Sequence, residues 1–398
     1  MAAQSAATLT TNEVMKITRV QATPLDIPAR VQLAGVDQTT SLSVCLVEIE
    51  TDSGLVGHGF TAITEEEVIA AVVRDIAGPA LIGEDPLATE HLWDKLYWLL
   101  SPRGQTGYAS HAIAALDIAL WDIKGKALGM PVWKLLGGAR NKVPVYTTFG
   151  FAVFDRGQLA EAAKHWVAQG HQRLKMVVGH HALQRRDEPR PLAAVIAEDA
   201  LRVRAVREAV GPDVQLYIDA NCSLDLFHAQ TLARSIADCN VTFFEEPVTQ
   251  NDVRQMAELR RSTGMRVAAG QNEGLAFRFR DLLLCEAVDV LQPNVVISGG
   301  YSQCAKIAGM AAAFNVPIAN GGAWPHHNMH LHAGLANGGL VEYHYVAVLV
   351  TEQIFNGLAK PVDGHLTLPE APGLGFDLNH DAIRELAKRP TSHGKGKA

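Results

Sequence analysis

Three short segments each end an apolar run on one polar side chain: "YIDAN" presents Asp219, "FFEEP" presents Glu245 and "AAGQN" presents Gln271. The step from Asp219 to Glu245 is 26 residues, and the step from Glu245 to Gln271 is again 26. Equal steps put three side chains at one height on three successive strands, where they converge. Two carboxylates and an amide oxygen suit a hard cation such as Mg²⁺, which takes oxygen ligands and keeps several waters. Taken singly, each would read as a polar residue capping a loop, so the shared register carries the ligand reading.

Other residues could act beside such a cation. Lys175 lies inside the apolar run "RLKMVVG", where a lysine is costly unless it faces a polar cavity. Beside a metal its pKa would fall and it would serve as a base. The plainer alternative is a packed stem with its head in water. The run "VDVLQPN" ends in Asn294, and "LVEYH" offers Glu342. In "AWPHHNMHLH", His326 and His327 follow Pro325 and are expected in a loop over the site, whereas His330 is expected to pack in the next helix. His180 and His181 belong to a long connection after Lys175, read as a lid or an oligomer contact.

These residues need elements to hold them. From about Val143 onward, eight short apolar runs alternate with helix-like stretches, the pattern of a (β/α)8 barrel. In that architecture the active site lies at the carboxyl ends of the strands, which is where these side chains fall. Before it, residues 15–62 are β-rich, with a hairpin signal at "TDSG". "TEEEVIAAVVRDIAGPALIG" opens with a capping threonine, and "SHAIAALDIALWDIKGKALG" is apolar almost all round and predicts a buried helix. This first part reads as a small α+β domain.

The 398 residues carry a formal net charge of −7, and 48% are hydrophobic. A soluble globular protein fits those values, while nucleic acid and anionic membrane do not fit as partners. No apolar stretch reaches the length of a membrane span. The five cysteines form no C-x-x-C pair, so reduced thiols and a cytoplasmic location are expected.

"AIAALDIALWDIKGKALGMPVWKLLGG", "IDAN", "FFEEP" and "PGLGFDL" resemble the enolase superfamily, in its mandelate racemase and muconate lactonizing enzyme branch. The resemblance covers roughly residues 15–380. It implies an α/β protein with a modified (β/α)7β barrel of the TIM type and an N-terminal α+β capping domain. The division expected is a flexible tail at 1–14, the capping domain at 15–140, the barrel at 141–362 and, at 363–398, a segment returning to the cap. It also implies Mg²⁺-assisted removal of the proton α to a carboxylate of a small hydroxy or sugar acid, by a homo-oligomer. Asp219, Glu245 and Gln271 fall at its metal positions, Lys175 and Glu342 at catalytic ones.

Several positions depart from the family pattern. Gln271 stands where a third carboxylate is usual, and Glu273, two residues on, lies beyond the strand end. Val177 replaces the second lysine of K-x-K, Asn294 replaces an aspartate, and Gly321 or Gly322 takes the place of a histidine. His326 or His327 could fold back to supply the missing imidazole, or Lys175 could act as sole base. One base suffices for dehydration or cycloisomerisation, whereas two-sided proton transfer needs an acid and a base on opposite faces. A dehydratase is therefore expected, ahead of a racemase, epimerase or cycloisomerase, with a binding barrel without catalysis as the remaining alternative.

Overall fold

The computed structural model describes residues 14–104, 107–179 and 189–388. The expected lid positions His180 and His181 lie outside the described residues.

The chain opens with an antiparallel sheet of β1 (Ile17–Leu33), β2 (Val36–Thr51) and β3 (Val56–Ala62). The "TDSG" turn joins β2 to β3, closed by Thr51 N donating to Leu55 O at 3.0 Å. The helix Tyr108–Leu128 packs on β3 and buries nearly its whole circumference, and Gly129 ends it in the left-handed conformation. Thr64 does not cap the following helix as expected. It exchanges hydrogen bonds with Ser43, and the helix starts only at Glu66.

The barrel strands are β4 (Lys142–Gly150), β5 (Arg173–Val177), β6 (Gln215–Asp219), β7 (Val241–Glu245), β8 (Val267–Ala269), β9 (Val290–Leu291) and β10 (Val341–His344). They pair in parallel in the order β10-β4-β5-β6-β7-β8-β9. The run "VPIANGG" gives only one ladder contact, Ile318 against Leu291. Pro317 opens it without an N–H to donate, and Asn-Gly-Gly ends it, so no longer strand can form. Ala319 N still donates to Leu291 O at 3.0 Å, and Asn320 N to Leu340 O at 2.8 Å. Those two bonds close the ring. A helix fills each connection, from Arg156–Ala168 after β4 to Pro325–Gly334 before β10, giving the (β/α)7β order.

Inside the ring, Tyr146, Tyr217, Phe243, Ala268, Val290 and Ala319 form an apolar plug. It fills the barrel below the carboxyl ends of the strands, so polar groups above it are cut off from water on that side.

The segment after β10 laces the parts together. His365–Thr367 pairs antiparallel with the start of β4. Leu374 N donates to Asp122 Oδ1 on the long helix at 2.9 Å, and Phe376 O lies 3.0 Å from His58 Nε2 on β3. Asp122 is fully buried and also accepts from His58 N and Lys126 Nζ. Those partners matter, because a buried carboxylate left unpaired costs several kcal/mol. Among the described residues, no helix is long and apolar enough to cross a membrane.

Candidate active site

Pairing register brings the expected side chains onto one level. Asp219 pairs across from Glu245, and Val177 across from Asp219. Lys175 is one inward turn deeper, 1% exposed, and its Nζ meets three carboxylates. Asp219 Oδ2 is at 3.0 Å, Glu245 Oε2 at 2.6 Å and Glu342 Oε1 at 2.9 Å. The Tyr146 ring lies beneath, 5.3 Å from Nζ to the centroid.

Burial alone would push the Lys175 ammonium down, but Asp219, Glu245 and Glu342 outweigh it and hold the pKa well above the usual lysine range. The expectation of a base concerned Lys175 beside a cation, whereas these directions describe it among the carboxylates alone. Its partners are pulled apart by the same charges. Burial and then Asp219 push Glu245 well up. Glu342 is held below the usual range: burial opposes its charge, but Lys175, His344, Thr148 and the Ala323 N–H outweigh that.

Gln271 reaches a different partner. It lies two residues past β8, and its Nε2 donates to Glu246 Oε2 at 3.0 Å. Its Oε1 faces Gly322, where a Cβ would come within 3.3 Å of it. A Cβ on the neighbouring Gly321 would come within 2.8 Å of Glu245 Oε1, a buried oxygen with no hydrogen-bond partner. The Gly321–Gly322 turn thus runs past both the Glu245 and the Gln271 side chains. Asn294 holds that turn. Its amide donates to Gly321 O at 2.7 Å and Gly322 O at 3.0 Å, while its Oδ1 accepts from Val296 N and Asn328 Nδ2. All its capacity is used, which explains an amide where an acid would lack donors.

Backbone strain collects at the same strand ends. Asn221 and Cys222 after β6, Glu246 after β7, and Ala323 and Trp324 after the Gly321–Gly322 turn all have positive φ. Such residues persist where surrounding structure enforces them, often at functional sites.

His326 and His327 are placed differently from the expected loop. Pro325 opens a helix directly, Pro325–Gly334, and both histidines are buried in it. The His327 ring is boxed by Phe60, Phe355 and Phe376 at 4.4, 5.4 and 5.0 Å between centroids, and neither nitrogen has a partner. His326 Nε2 lies 2.8 Å from Ala359 O, and His330 packs with Nε2 3.1 Å from Leu374 O. Burial holds His326 and His330 down at about 4. Neither His326 nor His327 joins the carboxylate cluster. Glu273 likewise turns away, to Asn251 Nδ2 and Arg278 Nε.

One residue went unnoticed in the sequence. His344 ends β10 on the same face as Glu342, pairs across from Thr148 and lies 5.2 Å from the Phe151 ring. Glu342, Lys175 and Asp219 all act on it electrostatically, while burial lowers its pKa. Its Nδ1 accepts from Ala347 N, so in the neutral ring Nε2 carries the hydrogen. Two-residue periodicity from Glu342 would have pointed to it.

The donor set fits a divalent cation. Among the described residues no three His, Cys, Asp or Glu side chains form a metal-holding group. Yet one ammonium faces three carboxylates, Glu245 Oε1 is orphaned, and Gly321 brings no side chain against that oxygen. Excess buried negative charge of this kind calls for a cation.

Residues 14–137 match the N-terminal domain of the mandelate racemase / muconate lactonizing enzyme family, and residues 158–382 match the enolase C-terminal domain-like family. D-galactarolactone cycloisomerase from Agrobacterium fabrum is 34% identical over 86% of this chain and 90% of its own length. Arabinonate dehydratase from Saccharolobus solfataricus is 30% identical, with the same coverage of 86% and 90%. The crystal structure of an L-talarate dehydratase from a Polaromonas species, complexed with Mg and L-glucarate, superposes with a TM-score of 0.81 at 31% identity, covering 94% of this chain and 98% of that one. The relatives are lyases and isomerases, and the chain belongs with them as an enzyme of the mandelate racemase and muconate lactonizing branch of the enolase superfamily.

Proposed function

We propose that the protein abstracts the proton α to the carboxylate of a small hydroxy or sugar acid, with Mg²⁺ as cofactor, and completes the reaction as a dehydratase. The observation that carries this is the convergence of Asp219, Glu245 and Glu342 on Lys175, with Glu245 Oε1 left unpaired. Asp219, Glu245 and Gln271 would hold the cation, which supplies Lewis-acid stabilisation of negative charge on a substrate carboxylate.

Lys175 is the proton-transfer group in this reading. Two of its three carboxylate partners are residues assigned to the cation, so its hold on the proton depends on who else shares them. Glu342, fixed by Thr148 Oγ1 and Ala323 N, keeps the lysine head in place from the third side. His344 offers Nε2–H toward a departing hydroxyl. Val177 puts no second lysine opposite, which supports one-sided chemistry, elimination rather than racemisation.

A second reading, cycloisomerisation, is favoured by the Agrobacterium relative. Calorimetric Mg²⁺ titration of the wild type and of Asp219→Ala tests the metal assignment: binding must be present in the first and lost in the second. Turnover of an acid-sugar panel in D₂O then separates the reactions. Loss of water with a keto product supports the dehydratase. Conversion without loss of water supports the cycloisomerase.

A further inference from the structure

Glu246 follows a metal-position residue but has work of its own. Its side chain is fully buried, and its backbone is held at φ +39°. The carboxylate accepts from Gln271 Nε2 at 3.0 Å, from Asn251 Nδ2 at 2.8 Å and from Asn272 Nδ2, with Cys222 Sγ at 3.5 Å. The Asn272 backbone N–H, a donor in any arrangement, also points at Glu246 Oε1 at 3.4 Å, so the carboxylate is the acceptor of the group. That assigns the Gln271 amide: nitrogen toward Glu246, oxygen toward the Gly321–Gly322 turn, where Glu245 Oε1 is also unpaired.

We propose that Glu246 is the positioning residue that turns the Gln271 amide oxygen toward the cation position, and that Gln271 and Glu246 are matched as a pair. The inference rests on the metal reading above and extends it to a residue that need not touch the metal. In this chain the contact needs the amide, because a glutamate at 271 would have no donor to offer Glu246.

The test is a double-mutant cycle read by Mg²⁺ calorimetry and by the spin-resonance spectrum of Mn²⁺ bound at the same position. Thermal midpoints check that each variant is folded. Glu246→Gln alone should weaken Mg²⁺ binding roughly 10- to 100-fold, as loss of an orienting partner does. Gln271→Glu alone should gain little despite its added charge. The swapped pair, Glu246→Gln with Gln271→Glu, restores one donor and one acceptor between the two residues. It should bind Mg²⁺ more tightly than either single variant. A folded Glu246→Gln that binds within about twofold of wild type, or effects that simply add around the cycle, would overturn the pairing while leaving the metal reading intact. A wild type that binds no Mg²⁺ at millimolar concentration would remove the metal reading, and the pairing with it.

Discussion

Lys175 Nζ stands 2.6 Å from Glu245 Oε2, closer than to either of its other two carboxylates. Glu245 is also the carboxylate that burial and Asp219 push well above its usual range. The shortest contact of the ammonium is thus to a carboxylate whose charge burial and Asp219 oppose.

Removing that ammonium should cost both activity and stability. Lys175→Met should lower turnover by about 10²- to 10⁴-fold, the span of general acid–base contributions. Without metal it should also destabilise the fold by about 3–5 kcal/mol, since breaking a buried ion pair leaves carboxylates unbalanced. Added Mg²⁺ should then raise the melting temperature of Lys175→Met more than that of wild type. Melting curves with and without Mg²⁺ check this, and an equal response in both proteins would contradict the shared-carboxylate geometry.

The buried histidines predict acid lability. His326 and His330 are held at about 4 and His332 at about 3, all by burial, and His327 lies well below the ordinary value. Their folded pKa values sit below the unfolded one, so the unfolded chain binds more protons. The stability they contribute is present above about pH 6.5 and is lost as the pH falls toward 4 and 3, at up to about 1.4 kcal/mol per pH unit for each histidine. His327→Leu should remove one share of that slope. It should keep near-normal stability at pH 7, because both ring nitrogens lack partners in an aromatic box. It should also keep turnover. Denaturant melts at pH 7 and 5 with a kinetic assay decide, and loss of activity in a folded His327→Leu would return the residue to the catalytic list.

The barrel was legible because its strands are short apolar runs between punctuating glycines and prolines, and because Asp219, Glu245 and Gln271 repeat at a fixed step. The seventh run was harder: Pro317 and Asn-Gly-Gly leave it a single bridge, which a propensity reading still counts as a strand. His326 and His327 were misplaced because Pro325 was read as loop. Proline at the first position of a helix is equally ordinary, and here it starts one. His344 is less legible because it closes its strand and doubles as the cap of the next helix, although it follows Glu342 by the two-residue alternation of a strand. Glu246 could not have been found from spacing, because its role depends on a left-handed backbone turn that aims it at Gln271.

The Gly321–Gly322 turn predicts a steric route to the same metal position. A Cβ at 321 would meet Glu245 Oε1 at 2.8 Å and Gln292 Nε2 at 2.9 Å. The backbone there does not need positive φ, unlike that of Gly322 at +75°, so Gly321→Ala isolates crowding from strain. Overpacking of this kind costs about 1–3 kcal/mol, which would weaken Mg²⁺ binding roughly 10- to 100-fold if it falls on the occupied state. Calorimetry on a folded Gly321→Ala checks it, and unchanged affinity would place the cation elsewhere.

His344 offers the cleanest separation of structure from chemistry. Its Nδ1 caps the helix Tyr345–Ile354 by accepting from Ala347 N, which leaves Nε2 as the ring's free donor. Asparagine caps helices well, whereas alanine does not and costs about 1 kcal/mol at such positions. His344→Asn should therefore melt close to wild type and His344→Ala somewhat lower. Asparagine keeps the cap but cannot place a donor where imidazole Nε2–H stood, so both variants should lose turnover alike, by about 10²-fold, the scale of one lost donor to developing charge. Mg²⁺ affinity should stay unchanged in both, since His344 is not among the residues assigned to the cation. If His344→Asn kept full turnover, the histidine would be only a cap, and the departing hydroxyl would have to find its donor in Lys175.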